Sequence, residues 1–392
     1  MIKIRIRKNL FYPMMLLIFT FIRGIDYILL INKSEFNGTV LLTILMFLGE
    51  FIFGLIFYLW NLHFLSKEVN RSFMGIKLKL IQGKSEISHP DKNIKIYFLI
   101  FMASFFDFTL FLLDTYFLPR LYYNRISISL TVRLRSILTL CSALLCYFLL
   151  RFPILKHQLF SLLIIFICLL SVIGSEFYFR YSSLIFYALI FTFVIYFLNS
   201  CLDIVEKYLL EYNYINPFKI IMLEGIIGLL LITLYSIING INPFNEIKTN
   251  DTVLLVIFLL IYFASGAGRN IYRIITNKLF SPMTRTLTDS ILDPISIILY
   301  YKYNNDFIYK REVNFYFIIN LVISFIIVIC GCIYNEILVI FCCQLDENTH
   351  SQVAHRASIL EKDYELSSGG SNASDNQSIK SDESNESNEE KD

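Results

Sequence analysis

Histidine and tryptophan are scarce in this chain of 392 residues, which contains five His and one Trp. The histidines form neither an HExxH motif nor a Cys/His spacing that would bind zinc, and no phosphate-binding glycine loop or nucleophile elbow occurs. Charged residues make up only 17% of the chain. The sequence therefore offers no catalytic, metal-binding or cofactor-binding motif, and an enzyme is the weakest of the function classes considered.

Apolar residues are abundant instead. Hydrophobic residues make up 56% of the chain, which includes 37 Phe, and its mean hydropathy is +0.60. These values exclude a set of soluble domains and are typical of a multi-pass membrane protein. The eight cysteines lie inside or at the ends of apolar runs, so no disulfide framework is expected.

Ten apolar runs are long enough to cross a bilayer as helices. A connection at 175 to 182 divides them into two sets of five, so that corresponding helices run in opposite directions. MFLGEFIFGLIF in the second run and IMLEGIIGLLLI in the seventh each place a glutamate beside glycines. We therefore predict an all-α integral membrane protein of two inverted five-helix repeats, 10–174 and 183–343. The runs lie at about 10–31, 39–65, 96–118, 126–150, 158–174, 183–204, 218–239, 252–277, 282–301 and 313–343.

The two ends of the chain differ in charge. Residues 1–9 are basic and are predicted to be a cytosolic N-terminus before an uncleaved first span. Residues 344–392 carry twelve Asp and Glu against four Lys and Arg, with few apolar residues, and are predicted to be a disordered tail. Lys and Arg are more numerous in the connections on the side of the N-terminus, which places both termini in the cytosol.

Six charged residues are predicted to lie away from the span ends, and an ionisable residue at such depth usually faces the protein interior or a water-filled path. They are therefore candidate solute-binding residues, and the alternative for each is a structural ion pair between helices. The six residues are Glu50, Asp107, Arg135, Glu224, Asp289 and Asp293.

Other charged residues in the runs have simpler explanations. Arg133 and Arg285 are close enough to a span end to reach lipid headgroups by snorkelling. Arg23 and Asp26, at positions i and i+3, are expected to neutralise each other. Pro294 removes a helical hydrogen bond in the ninth run and is expected to mark a hinge or a break that lines a pore.

A mixed set of cations and carboxylates suits a small polar, charged or zwitterionic solute, and proton coupling through a carboxylate is a hypothesis. We expect a small-molecule solute and the lipid bilayer as partners, and no nucleic acid. The oligomeric state stays open. The serious alternative to a transporter is a non-transporting receptor or scaffold, because one fold can host several functions.

The order of several motifs resembles the drug/metabolite transporter superfamily, EamA-like and nucleotide-sugar-transporter-like, and in particular the F branch of solute carrier family 35. The resemblance covers about residues 10–343 and rests on MFLGE, FFDFTLFLLD, SISLTVRLRSIL, EKYLLEYNYINPFKIIMLEGIIGLLL, FSPMTRTLTDSIL and GCIYNEI. It implies ten helices and alternating access, and it favours a Golgi or vacuolar/lysosomal membrane over the plasma membrane. Arg135 stands where the family's arginine stands.

Two features leave the solute open. The Gly-Ala-Leu-Asn-Lys run that contacts the nucleotide in several nucleotide-sugar transporters of the superfamily does not occur in this chain. Ser136 replaces a glycine that is common in the F branch. The resemblance therefore does not decide between a nucleotide sugar and another solute.

Overall fold

The computed structural model describes residues 2–4, 11–34, 39–65, 72–73, 76–77, 94–123, 134–179, 183–213, 215–243, 252–303 and 311–340. This part of the chain contains eleven helices and four short strands. The helices are α1 (Phe11–Ser34), α2 (Thr39–Leu65), α3 (Ile94–Tyr123), α4 (Ser136–Leu149), α5 (Lys156–Phe179), α6 (Ser183–Glu211), α7 (Pro217–Ile238), α8 (Thr252–Leu279), α9 (Pro282–Ser290), α10 (Asp293–Tyr303) and α11 (Arg311–Tyr334). The strands are β1 (Ile2–Ile4), β2 (Ser72–Phe73), β3 (Ile76–Lys77) and β4 (Leu338–Ile340).

Seven helices of the described residues are long and apolar enough to cross a membrane, namely α2, α3, α5, α6, α7, α8 and α11. The helix α4 is apolar but shorter, and neither α1 nor the pair α9 and α10 is among the seven. Large apolar side chains such as Phe148, Ile238 and Val253 are mostly exposed on the outside of the bundle. The chain is therefore a multi-pass membrane protein, while the number of ten spans stays a prediction.

Local sequence signals explain where several helices begin and end. Asn216 and Ser281 precede α7 and α9, and each side-chain oxygen accepts a hydrogen bond from a backbone N–H in the first turn. A proline follows each of them at the first helical position, where its missing N–H costs nothing. The helix α7 ends just before Gly240, whose φ of 61° suits a glycine.

The ninth apolar run, predicted over 282–301 with a hinge or break at Pro294, consists of two helices. A turn at Ile291 and Leu292 separates α9 from α10. The amides of both turn residues bond three positions back, to Thr288 and Asp289, in the tighter 3₁₀ pattern. The break lies directly before the Asp-Pro pair at 293–294, so the predicted interruption at Pro294 is present.

The tenth run also ends earlier than predicted. The helix α11 stops at Tyr334, and Glu336 adopts a positive φ of 57°. The amides of Glu336 and Ile337 bond back to Ile333 and Cys332, which is the Schellman pattern of helix termination. The strand β4 follows and pairs antiparallel with β1, so the predicted basic N-terminus contains a strand. Residues 344–392, the predicted disordered tail, lie outside the described residues.

Glycines let α2 and α7 pack closely at the centre of the bundle. A Cβ atom on Gly225 would lie 2.5 Å from the backbone nitrogen of Phe51 and 2.8 Å from the carbonyl oxygen of Phe47. A Cβ atom on Gly54 would lie 2.8 Å from the backbone nitrogen of Met222. The glycine and glutamate runs of the second and seventh spans therefore meet each other.

The remaining helices surround this central pair. The helix α8 packs on α1 and on α2, and α3 packs on α6 and on α7. The helix α4 packs on α6, and α5 packs on α11. This arrangement leaves a polar centre bounded by α1, α2, α3, α4, α6, α8 and α9, where most of the buried charges lie.

Candidate functional site

A cavity of about 240 Å³ lies in this polar centre. Its wall includes residues of α1, α2, α3, α4, α6, α8 and α9, together with Arg135, which immediately precedes α4. The charged residues of the wall are five arginines and two aspartates: Arg23, Arg135, Arg269, Arg273, Arg285, Asp107 and Asp289.

Arg135 joins the start of α4 to the break between α9 and α10. Its Nη1 lies 2.8 Å from Oδ1 of Asp293, the first residue of α10, and it donates a 3.0 Å hydrogen bond to the carbonyl oxygen of Asp289. That carbonyl lies in the last turn of α9 and also accepts the hydrogen bond from the amide of Leu292, so Arg135 is its second donor. Three of the six candidate residues thus meet at one point of the wall.

Arg273 of α8 holds a second group of carboxylates. It donates a hydrogen bond to Glu206 of α6, and it lies 3.9 Å from Asp107 of α3 and 4.0 Å from Glu224 of α7. All three carboxylates are buried. Glu50 of α2 is buried as well and accepts a hydrogen bond from Asn270, which lies in the cavity wall. A single arginine therefore ties α3, α6 and α7 to α8.

Arg285 is fully buried, so its side chain does not take the snorkelling position that its distance from a span end allowed. Its Nη1 lies 2.6 Å from Oδ2 of Asp203 and 3.5 Å from Oδ1 of Asn199, both on α6. Its Nη2 lies 3.7 Å from Asp289, one turn along α9. Arg133, the other arginine close enough to a span end to snorkel, lies outside the described residues.

The expected pair between Arg23 and Asp26 is also wrong. Arg23 donates a 3.1 Å hydrogen bond to the hydroxyl of Tyr262 on α8, and its guanidinium carbon lies 5.1 Å from the centre of that ring. Both carboxylate oxygens of Asp26 are buried without a hydrogen-bond partner in the described part of the chain. The i,i+3 spacing permits contact, but the neighbouring helix supplies the partner that Arg23 takes.

Arg269 is the wall arginine that sequence reasoning missed most clearly. It follows the small residues of SGAGRN, whose glycines suit close helix packing. Its nearest carboxylate oxygen within the described residues, on Asp289, is 3.9 Å away. The spacing of Arg269, Arg273 and Asn277 at i, i+4 and i+8 places them on one stripe of α8 and was the available signal.

The six predicted residues fall into two groups, one that lines the cavity and one that lies behind its wall. Asp107, Arg135 and Asp289 line the cavity. Asp293, Glu224 and Glu50 lie behind the wall, where they contact Arg135, Arg273 and Asn270 respectively.

The charges of the cavity wall differ from those behind it. The wall itself carries five arginines against two aspartates, while the carboxylates of Asp203, Glu206, Glu224, Glu50 and Asp293 stand behind it. A bound group therefore meets guanidinium donors first. Among the described residues no group of three or more His, Cys, Asp or Glu side chains is placed to hold a metal ion.

No protein-family model matches the chain, and no curated protein matches its sequence.

Proposed function

We propose that the chain is an alternating-access carrier for a small metabolite that bears a negative charge. The observation that carries this proposal is the cavity of about 240 Å³ inside a multi-pass bundle, with five guanidinium groups in its wall. The volume lies somewhat below the roughly 300–1,000 Å³ of drug-sized sites, so it suits a small solute. Arginine is well suited to bind carboxylate and phosphate groups, because its planar fork can donate two parallel hydrogen bonds.

Arg23 and Arg269 are the arginines best placed to bind such an anion. Arg135, Arg273 and Arg285 each have a close carboxylate partner already. Arg23 instead contacts Tyr262, and Arg269 approaches a carboxylate only at 3.9 Å. A solute carboxylate or phosphate would therefore complete the hydrogen bonding of these two side chains.

Asp107 extends the range of solutes to zwitterions. It lines the cavity, and its Oδ2 is buried with no hydrogen-bond partner among the described residues. A buried carboxylate oxygen needs a donor. An ammonium group of the solute would supply one, and proton coupling through Asp107 is an alternative use of the same oxygen.

The helix contacts support two inverted repeats as the basis of the alternating movement. If each helix of the first set corresponds to the helix five spans later, the contact of α1 with α8 corresponds to that of α6 with α3. The contact of α2 with α8 likewise corresponds to that of α7 with α3. The pairs α2–α7 and α5–α11 correspond to themselves. This pattern is the one expected of halves that rock about a central site.

The broken span supports the same mechanism. Transporters commonly bind solutes where helices are interrupted near the midplane. Here α10 begins at Asp293, beside Arg135 and the cavity, so its N-terminal dipole adds positive potential to the site.

We include in the proposal the membership of the drug/metabolite transporter superfamily, near the F branch of solute carrier family 35. Cytosolic termini and an endomembrane location belong to the same proposal, supported by the charge distribution of the sequence and by the motif resemblance.

A scaffold built on the same fold is the second candidate function. Three wall arginines favour it, because they already have carboxylate partners. Ion pairs of this kind can have a purely structural role, in which they hold neighbouring helices together. A scaffold does not need Arg23 and Arg269 to remain without a close carboxylate. These two residues therefore distinguish the candidates.

Thermal unfolding of the purified protein in detergent tests the proposed binding site. A ligand at a hundred times its Kd stabilises the folded state by about 2.7 kcal/mol. We expect one pool among nucleotide sugars, nucleotides, carboxylates and amino acids to raise the melting temperature of the wild type. Arg269→Gln should remove this rise, and Lys95→Gln, at an exposed lysine of α3, should retain it. Equal stabilisation of both variants would place the binding elsewhere and contradict the proposed site.

A further inference from the structure

Lys207 of α6 is a buried lysine outside the cavity wall. Its side chain is 1% exposed, and its ammonium donates hydrogen bonds to the carbonyl oxygens of Asn277, Lys278 and Phe280 at 2.8, 3.2 and 2.7 Å. The carboxylate of Glu211 lies 2.6 Å from the same nitrogen. Four oxygen atoms thus surround one buried cation.

The three carbonyls belong to the end of α8 and the turn into α9. The last carbonyls of a helix have no helical donors, and α8 ends at Leu279. The residue four positions after Lys278 is Pro282, which has no N–H to donate. The ammonium of Lys207 supplies the missing donors from another helix, at the negative end of the α8 dipole.

Neighbouring side chains of α6 make further bonds to the same region. Asp203, Glu206 and Lys207 lie at i, i+3 and i+4, on one stripe of α6. The side-chain amide of Asn277 donates to the carbonyl oxygen of Asp203 at 2.9 Å and to Glu206 at 3.3 Å, and Arg285 pairs with Asp203. We call these five residues the α6 seam.

The α6 seam lies between the cavity and the turn from α8 to α9. The α6 residues that line the cavity are Thr192, Ile195, Tyr196 and Asn199. Lys207 follows Asn199 by eight residues, which is about 12 Å along a helix, and it bonds to the turn itself. The α8–α9 end of the bundle is therefore closed by these polar contacts together with buried apolar residues beside them, among them Leu209, Leu210, Ile274 and Ile275.

We infer that the α6 seam is the closed gate of the carrier at the α8–α9 end, and that Lys207 is the residue that holds it shut. The inference rests on the proposed function, because a gate matters only if the cavity must open to both sides. Opening requires the ammonium to leave three carbonyls, and water entering the opened gate can replace them as hydrogen-bond partners. A polar seam can therefore open and close reversibly, since neither state leaves the ammonium without acceptors.

The test measures access to the cavity and needs no knowledge of the solute. Ile195→Cys places a thiol in the cavity wall, and a membrane-impermeant maleimide is added to proteoliposomes from one side at a time. Labelling of the parent protein without this substitution is subtracted, because the chain contains eight native cysteines.

With Lys207 present, we expect the thiol of the Ile195→Cys variant to be labelled slowly from the α8–α9 end. Lys207→Met keeps an unbranched side chain but removes all the donors of the ammonium, so labelling from that end should rise by at least roughly tenfold, which is the effect of losing even one charge-assisted hydrogen bond from the closed state. Lys156→Met, at an exposed lysine at the start of α5, is the matched control and should label as slowly as the parent.

A folded Lys207→Met protein that labels no faster than the control would overturn the gate. If that variant does not fold, Glu211→Gln replaces it, because Glu211 is 36% exposed and its loss weakens only one of the four contacts. A folded Glu211→Gln protein should show a smaller rise than Lys207→Met would, and no rise at all would also overturn the gate. If Lys207→Met is labelled faster but no solute pool stabilises the wild-type protein, the proposed solute is contradicted and the gate is not.

Discussion

At the scale of single residues, the polar centre contains two kinds of arginine. Arg135, Arg273 and Arg285 have carboxylate oxygens or backbone acceptors within 3 Å, whereas Arg23 and Arg269 do not. A paired buried charge depends on its partner for stability. We therefore expect substitutions of the two kinds to differ in their effect on folding.

Arg135→Gln should destabilise the protein, because Asp293 is only 8% exposed and would lose its partner. Arg135 itself is 23% exposed, so we expect a cost of about 1–3 kcal/mol, below the value for a fully buried pair. The double variant Arg135→Gln with Asp293→Asn should recover part of this loss, since no unpaired carboxylate remains. Chemical unfolding in detergent measures the free energy of unfolding of the wild type, both single variants and the double variant, which form a double-mutant cycle. Strictly additive losses would show that the two side chains are not coupled.

Sequence reasoning found the charged residues of the centre but not all of their partners. The depth of Asp107, Arg135 and Asp289 in apolar runs was enough to select them, and all three line the cavity. Partners on distant helices, such as Tyr262 for Arg23 and Asp203 for Arg285, depend on tertiary packing. A single sequence contains the spacing along a helix but not which helix lies opposite.

At the scale of helices, the close contact of α2 with α7 depends on residues without side chains. The paired motifs MFLGEFIFGLIF and IMLEGIIGLLLI bring Glu50 and Glu224 near the centre while their glycines admit the facing backbone. Small residues at helix interfaces allow this approach in membrane proteins. The duplicated motif therefore has a packing reason as well as an electrostatic one.

Gly225→Ala should destabilise the bundle by about 1–3 kcal/mol, the usual cost of overpacking. The added methyl group would lie 2.5 Å from the backbone nitrogen of Phe51, which cannot move without separating α2 from α7. Gly174→Ala is the matched control, because nothing lies within 4 Å of its Cβ position in α5. That control should be neutral or more stable by up to about 1 kcal/mol, since alanine favours helix. Equal melting temperatures for the two variants would contradict the close contact.

The helix boundaries show which helix starts and ends could be predicted from local sequence signals. Asn216 with Pro217 and Ser281 with Pro282 are start signals that the sequence displays openly. The end of α11 has no such signal, because Glu336 takes a left-handed conformation that glycine or asparagine usually occupies. The apolar residues Leu338–Ile340 after it continue the hydrophobic run. A prediction from hydropathy alone therefore placed the end of the span too late.

At the scale of the whole molecule, composition was sufficient to predict a multi-pass helical membrane protein, and seven apolar helices agree with it. The number of ten spans and the inverted repeats stay predictions, supported by helix neighbours that correspond between the two sets. The position of the cavity could not be predicted, because it depends on how seven helices meet. The direction in which the chain enters the membrane stays a prediction from the distribution of Lys and Arg.

Uptake of solute by purified protein in proteoliposomes is the most direct test of a carrier. The assay uses pools of nucleotide sugars, nucleotides, carboxylates, amino acids and organic cations, with and without a pH gradient. We expect saturable uptake from a pool of anionic or zwitterionic solutes, lost in Arg269→Gln and retained in Lys95→Gln at equal reconstitution. No uptake from any pool by folded protein reconstituted in both orientations, or saturable uptake that Arg269→Gln leaves unchanged, would contradict a carrier whose solute binds in the arginine-lined cavity.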